Sequence, residues 1–199
     1  MAYSYKIEQA IRAAAVLHKD QVRKGEMPFP VITHLISVAM IVSEYTDNED
    51  IIAAAFLHDA LEDTDYTAAE IEEDFGGFVK ELVEGVTEPQ REHDGQRVPW
   101  ELQKKTYIET LKKAPEGSLI ICAADKIHNM RTIVEDYYED HSRFLADFGG
   151  KLDKRIEIFT EIANVLNRRL KSPILAEFNH VFEEYKNFIL DVKKTKEEF

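Results

Sequence analysis

Apolar residues recur along most of the chain at the spacing of one helix face, and this periodicity predicts a mainly helical protein. The first such stretch covers residues 5–24, and prolines at positions 28 and 30 predict a loop over residues 25–31. The later stretches predict helices at about 32–45, 47–62, 67–76, 77–86, 99–114, 118–138 and 151–171, with a last helix after residue 173.

Short polar motifs mark several of the predicted helix ends. Asp47 or Asn48 can cap the third helix, Thr67 and Glu70 form a capping box, and Ser118 can cap the helix that follows it. Gly76-Gly77 and Gly149-Gly150 interrupt the helical pattern. Residues 87–98 are polar and irregular, so we expect an exposed loop beside a site.

Neither a shift in composition nor an internal repeat marks a second domain. A length of 199 residues suits one domain, and we expect residues 1–199 to form a single all-α bundle. The motifs that contain candidate site residues fall between about 18 and 133. The helices of residues 150–191 are therefore expected to complete the bundle.

The charge balance restricts the partners. Lys and Arg number 25 against 38 Asp and Glu, which gives a formal net charge of −13. This balance argues against a nucleic-acid binder and against an anionic membrane surface. A small anionic substrate stays compatible, because a metal ion or a few local cations can reverse the field inside one pocket. An oligomer is compatible with the sequence.

One cysteine, Cys122, lies in an apolar stretch and is expected to be a buried small residue. The N-terminus lacks the pattern of a signal peptide, and the longest apolar run is far shorter than a membrane span. A cytoplasmic location is the simplest expectation.

The most informative polar cluster is His58-Asp59, which ends a very apolar helical stretch. Burying a carboxylate there is costly unless it is paired or bound to a metal. An imidazole beside carboxylates suits a divalent transition metal such as manganese, iron or zinc. Glu62 and Asp63 follow one turn later, where either carboxylate could accept a proton from an attacking water.

Two further sites repeat this combination of polar residues in apolar helices. His34 lies just inside the second helix, and Asp125 follows an apolar run, with Asn129 on the same helix face. Each residue alone has an ordinary structural explanation: a lone histidine is usually a core or surface residue, and Asp125 could pair with Lys126 or Arg131. His18, His93, His141 and His180 have no partner pattern and are interpreted as structural or exposed.

The ordered set of motifs resembles the HD superfamily of metal-dependent phosphohydrolases, and within it the guanosine tetraphosphate hydrolases of stringent-response enzymes and their small stand-alone relatives. The matching segments run in family order and are residues 21–25, His34 before residues 38–39, residues 58–64, 75–76, 82–87 and 124–132.

The resemblance implies a role for each matching position. The implied metal ligands are His34, His58, Asp59 and Asp125, and the implied catalytic acids are Glu62 and Asp63. The implied substrate contacts are Arg23, Lys24, Lys126, Asn129, Arg131 and Thr132. The implied cofactor is Mn²⁺, and the implied reaction is hydrolysis of the 3′-pyrophosphate of guanosine tetra- or pentaphosphate.

Some positions depart from the family pattern. The link before His34 is slightly longer than usual, Leu35 replaces a proline, and Glu88 stands where the family often has lysine. Lys104 and Lys105 could add phosphate contacts, or their helix could simply pack. Two alternatives therefore stay open: an HD phosphohydrolase for another nucleotide, and a helical regulatory module without turnover.

Overall fold

The protein is described by a computed structural model that covers residues 3–24, 28–89, 98–149 and 151–197. Within these ranges the regular structure is helical, which confirms the all-α prediction. A single isolated antiparallel bridge joins Val22 and Pro30. The helices are α1 (Tyr5–Leu17), α2 (Ile32–Tyr45), α3 (Glu49–Leu57), α4 (Ala60–Asp63), α5 (Ala68–Phe75), α6 (Gly77–Glu84), α7 (Trp100–Leu111), α8 (Glu116–Tyr137), α9 (His141–Phe148), α10 (Leu152–Arg169) and α11 (Ile174–Glu197).

Helix α3 lies at the centre of the N-terminal half. Every residue from Ile51 to Leu57 is buried, because α1, α2, α6 and α8 pack around this helix. A helix that is apolar on all sides, as α3 is from Ile51 to Leu57, belongs in the core.

The start of α8 comes close to α6 at Gly117, where a Cβ atom would lie 2.6 Å from a methyl group of Leu82.

Helix α8 joins the two halves of the molecule. It contacts α2, α3 and α6 on one side and packs along α11 on the other, while α10 contacts α7, α8 and α11. Thirteen of its residues are buried, Asp125 among them. Polar side chains on α8 are therefore held in place by packing against both halves.

Several predicted helix ends are confirmed. Asn48 accepts hydrogen bonds from the backbone N–H groups of Asp50 and Ile51, and Thr67 and Glu70 form the capping box of α5. Gly76 ends α5 with a φ of +93°, a conformation that glycine adopts without steric cost. Cys122 is buried, as expected.

Other predicted elements differ from the structure. Helix α1 ends at Leu17 and not near residue 24, because the backbone N–H of Val31 bonds the Gln21 carbonyl and that of Arg23 bonds the Phe29 carbonyl. Ser118 is not a cap, since it lies inside α8 and donates its hydroxyl to the Leu82 carbonyl at 2.8 Å. Helix α9 was not predicted.

Parts of three sequence predictions lie outside the described residues. These are the loop at residues 25–27, the Gly150 half of the glycine pair, and residues 90–97 of the polar loop, with His93. Among the described helices, none is both long and apolar enough to cross a lipid bilayer.

Candidate active site

The four predicted metal ligands meet where α2, the end of α3 and α8 converge. His34 Nε2 lies 3.3 Å from Asp125 Oδ1 and 3.7 Å from Asp59 Oδ2. His58 Nε2 lies 3.2 Å from Asp59 Oδ1 and 3.8 Å from Asp125 Oδ1. Helix α3 stops at Leu57, and the break before α4 places His58 and Asp59 beside each other at one point. Two imidazoles and two carboxylates thus surround one small space.

The hydrogen bonds of His58 fit a metal ion in that space. His58 Nδ1 lies 2.8 Å from the carbonyl of Ala55, which accepts its proton and leaves a lone pair on Nε2. That Nε2 atom is buried and has no hydrogen-bond partner among the described residues. A buried acceptor facing carboxylates is unfavourable unless a cation satisfies it. Ligand atoms of His34, His58 and Asp59 lie within 4.8 Å of one another, so all three can reach one divalent ion.

His128 orients His34 and was missed by sequence reasoning. The Nδ1 atoms of the two rings lie 2.9 Å apart, so one ring must donate to the other. Burial, with the nearby His34 and Arg23, lowers the pKa of His128 to about 4, and burial also lowers the pKa of His34. Both rings are therefore neutral near pH 7. When His34 donates from Nδ1, its Nε2 lone pair points at the carboxylates, as metal binding requires.

We expect His128→Leu to weaken divalent-metal binding by about 10- to 100-fold, because it removes the acceptor that orients His34. His128→Asn, whose amide oxygen can accept the same proton, should restore part of the affinity. Titration calorimetry of the chelator-treated protein with MnCl₂ measures the change without relying on turnover. Equal affinities in wild type and His128→Leu would contradict this role.

The predicted catalytic acids follow one turn after the ligands, on α4. Glu62 Oε1 accepts a hydrogen bond from the backbone N–H of Glu88 at 2.6 Å. Burial raises the pKa of Glu62 to about 8, and the charges of Glu88 and Asp59 add to this effect against the opposing N–H bond. Asp63 is more exposed; partial burial and the charge of Asp59 raise its pKa as well. A carboxylate with a raised pKa is suited to proton transfer near neutral pH.

Polar residues of α8 continue from the ligands toward the surface. Lys126 donates to Asp125 Oδ2 at 2.7 Å, and Asn129 donates to Asp125 Oδ1. Arg23 then donates to Asn129 Oδ1 at 2.7 Å. Burial alone would raise the pKa of Asp125, but the Lys126 ammonium beside it holds the pKa well below its usual range. Asp125 is therefore expected to be ionised near neutral pH.

Two adjoining cavities surround these residues. A cavity of about 150 Å³ is lined by the four predicted metal ligands together with Glu62, Lys126 and Asn129. A second cavity of about 750 Å³, here called the cleft, shares Arg23, Asp59 and Lys126 with it and extends between α8 and α10. Lys24, Asp63 and Thr132 line the cleft. Its size is in the range of small-molecule binding sites.

Of the predicted site residues, Arg131 alone is placed away from both cavities. It pairs with Glu177 of α11 at 2.6 Å, and its side chain is 48% exposed. Two residues along a helix correspond to about 200°, so Arg131 points away from the side on which Asn129 lies. The structure therefore does not bring Arg131 together with the other predicted site residues.

A partly buried ion pair next to the acids was also missed. Glu88 accepts from Lys104 at 2.6 and 2.7 Å, and both residues line the cleft. In the sequence, Glu88 stood out as a departure from the family pattern and Lys104 as a possible phosphate contact, but nothing indicated that they pair.

His18 was interpreted as structural or exposed. It is buried near Asp63, and its Nδ1 atom lies 2.8 Å from Gln21 Oε1.

Comparison with known proteins agrees with this arrangement. The family model described as an HD domain matches residues 10–164, which include all the residues of the two-imidazole, two-carboxylate cluster. The chain belongs to the HD domain family. The resemblance found in the sequence motifs is therefore confirmed at the level of the family.

Two relatives are similar to this chain over about two thirds of its length. The human guanosine-3′,5′-bis(diphosphate) 3′-pyrophosphohydrolase MESH1 is 36% identical over 127 residues, which cover 63% of this chain and 68% of MESH1. The GTP pyrophosphokinase of Streptomyces coelicolor is 36% identical over 128 residues, 64% of this chain, but the chain spans only 15% of that relative's length. The solved structure of a metazoan SpoT orthologue that hydrolyses ppGpp has a TM-score of 0.74 at 24% identity, covers 92% of this chain and 97% of its own, and shows the same HD fold.

Proposed function

We propose that this HD domain protein is a manganese-dependent hydrolase that removes the 3′-pyrophosphate from guanosine tetra- or pentaphosphate or a closely related nucleotide. The observation that carries the proposal is that the cluster of two imidazoles and two carboxylates, with Glu62 beside it, adjoins a cation-lined cleft of about 750 Å³. The printed activity of MESH1 supports the choice of substrate, because this chain covers two thirds of MESH1.

The chain's own residues have distinct tasks in this reaction. A bound divalent ion supplies Lewis acidity toward the phosphoryl group. Glu62, in the smaller cavity and with a pKa of about 8, takes the proton of the attacking water. Arg23 and Lys126 line both cavities and neutralise charge on the phosphates, which the net charge of −13 would otherwise repel.

A panel of metals and nucleotides tests the proposal. The chelator-treated protein should be inactive on guanosine tetraphosphate and should release pyrophosphate again after MnCl₂ is added, with smaller recovery for MgCl₂. Separating the products by ion-exchange chromatography identifies which phosphate bond breaks. If manganese restores no release from any guanosine 3′-diphosphate, the proposed activity is wrong.

A further inference from the structure

The cleft extends well beyond the residues that the HD motifs contain. Its far wall comes from α10 and the end of α9, through Phe148, Lys151, Arg155 and the apolar residues Ile158 and Phe159. All five lie after residue 133, where the motifs end. The C-terminal helices therefore build part of the binding site and do more than complete the bundle.

Three cations gather at this end of the cleft. Lys24 Nζ lies 5.6 Å and the Arg155 guanidinium 5.0 Å from the centre of the same Phe148 ring. Lys151 Nζ lies 5.5 Å from the centre of the Trp100 ring. Aromatic faces attract cations but do not neutralise them. Lys24 also donates a hydrogen bond to the backbone carbonyl of Asp147 at 3.2 Å. None of these three cations forms an ion pair with a carboxylate in the part of the chain that the structure describes.

The other cations of the cleft are engaged differently. Lys104 is paired with Glu88, Lys126 with Asp125, and Arg23 donates to Asn129. The protein has a net charge of −13. Cations without acidic partners around one opening therefore mark a place where a bound anion is attracted electrostatically. The uncharged section lined by Ile133, Ile158 and Phe159 suits the nucleobase. The charged end of the cleft is then available to the 5′-phosphates.

We infer that Lys24, Lys151 and Arg155 form a subsite for the 5′-diphosphate of the nucleotide, separate from the metal cluster that holds the 3′-pyrophosphate. This inference rests on the proposed function, since it assigns the second charged end of the same substrate. The 5′-phosphates then select substrates through binding and take no part in bond cleavage.

The test compares three guanosine 3′-diphosphates, which carry a 5′-diphosphate, a 5′-monophosphate or a 5′-hydroxyl. Lys151→Gln is expected to lower kcat/KM for the 5′-diphosphate substrate about tenfold, mainly through KM, and to leave the 5′-hydroxyl substrate nearly unchanged. Arg155→Gln should act in the same direction, with its thermal unfolding checked because Arg155 also packs on Phe144. Lys154→Gln is the matched control, because Lys154 lies on α10 outside the cleft and pairs with Glu101.

Each outcome decides the inference. A loss that is equal for all three substrates, or no loss for any, would overturn the subsite. If the wild type hydrolyses none of the three, the proposed function fails, and binding of guanosine 5′-diphosphate to the chelator-treated protein decides the subsite alone. About tenfold weaker binding by Lys151→Gln than by Lys154→Gln would then support it, and equal binding would overturn it.

Discussion

Replacing Asp59 by asparagine is expected to remove the bound metal and to lower turnover by about a thousandfold or more. The change keeps the shape of the side chain and removes a carboxylate that lies 3.2 Å from His58 Nε2 and 3.7 Å from His34 Nε2. Elemental analysis of the purified variant measures the metal directly, and pyrophosphate release measures turnover. Folding should survive, because Asp59 is a partly exposed residue at a helix junction and not a core side chain.

Asp65→Asn is the matched control for this variant. It makes the same chemical change at an exposed carboxylate six residues further along the chain. A helical regulatory module without turnover would carry no divalent metal in the wild type, and both variants would then behave alike. Full metal content in Asp59→Asn would contradict the assignment of Asp59 as a ligand.

Glu62→Gln is expected to lower kcat by a factor of about 10² to 10⁴ while divalent metal still binds. Glutamine retains an oxygen that can accept the N–H of Glu88 at the present 2.6 Å, so the local backbone should not move. What is lost is the carboxylate that accepts the proton of the attacking water. Single-turnover assays with saturating metal separate this effect from weaker substrate binding, and a kcat within threefold of wild type would exclude Glu62 as the base.

The same variant should stabilise the metal-free protein at high pH. Folding raises the pKa of Glu62 from 4.5 to about 8, so the folded state holds this proton more tightly than the unfolded chain. The free energy of unfolding therefore falls as pH rises from about 4.5 to about 8, and glutamine removes that loss. We expect Glu62→Gln to be more stable than wild type by about 2 kcal/mol at pH 9, with no difference at pH 4. Urea unfolding in the presence of a chelator measures both values.

The sequence predicted the parts of the fold and site that depend on local pattern. Helical periodicity is repeated along each element, so α2, α8 and α10 were recognisable without tertiary information. The candidate metal ligands stood out because His58-Asp59 and Asp125 interrupt apolar runs where an unpaired charge is costly, and the structure brings them together.

The features that sequence reasoning missed depend on contacts between distant residues. His128 matters through His34, which lies 94 positions earlier, and nothing in the local motif shows which histidine accepts from which. The end of α1 is set by backbone pairing of Gln21 and Arg23 with residues near Pro30, a contact that overrides helix propensity. The cationic end of the cleft joins Lys24 to α10, more than 120 residues away in sequence.

The burial of α3 predicts slow hydrogen exchange of the backbone amides at the His58 end of the site. His58 follows seven consecutive buried residues, so freeing this ligand requires opening the core, and the amide hydrogens of α3 should exchange with deuterated solvent only through global unfolding. Lys24 and Lys151, by contrast, are exposed residues outside that core. Substitutions at the cleft rim are therefore expected to change nucleotide binding without opening the core that holds His58.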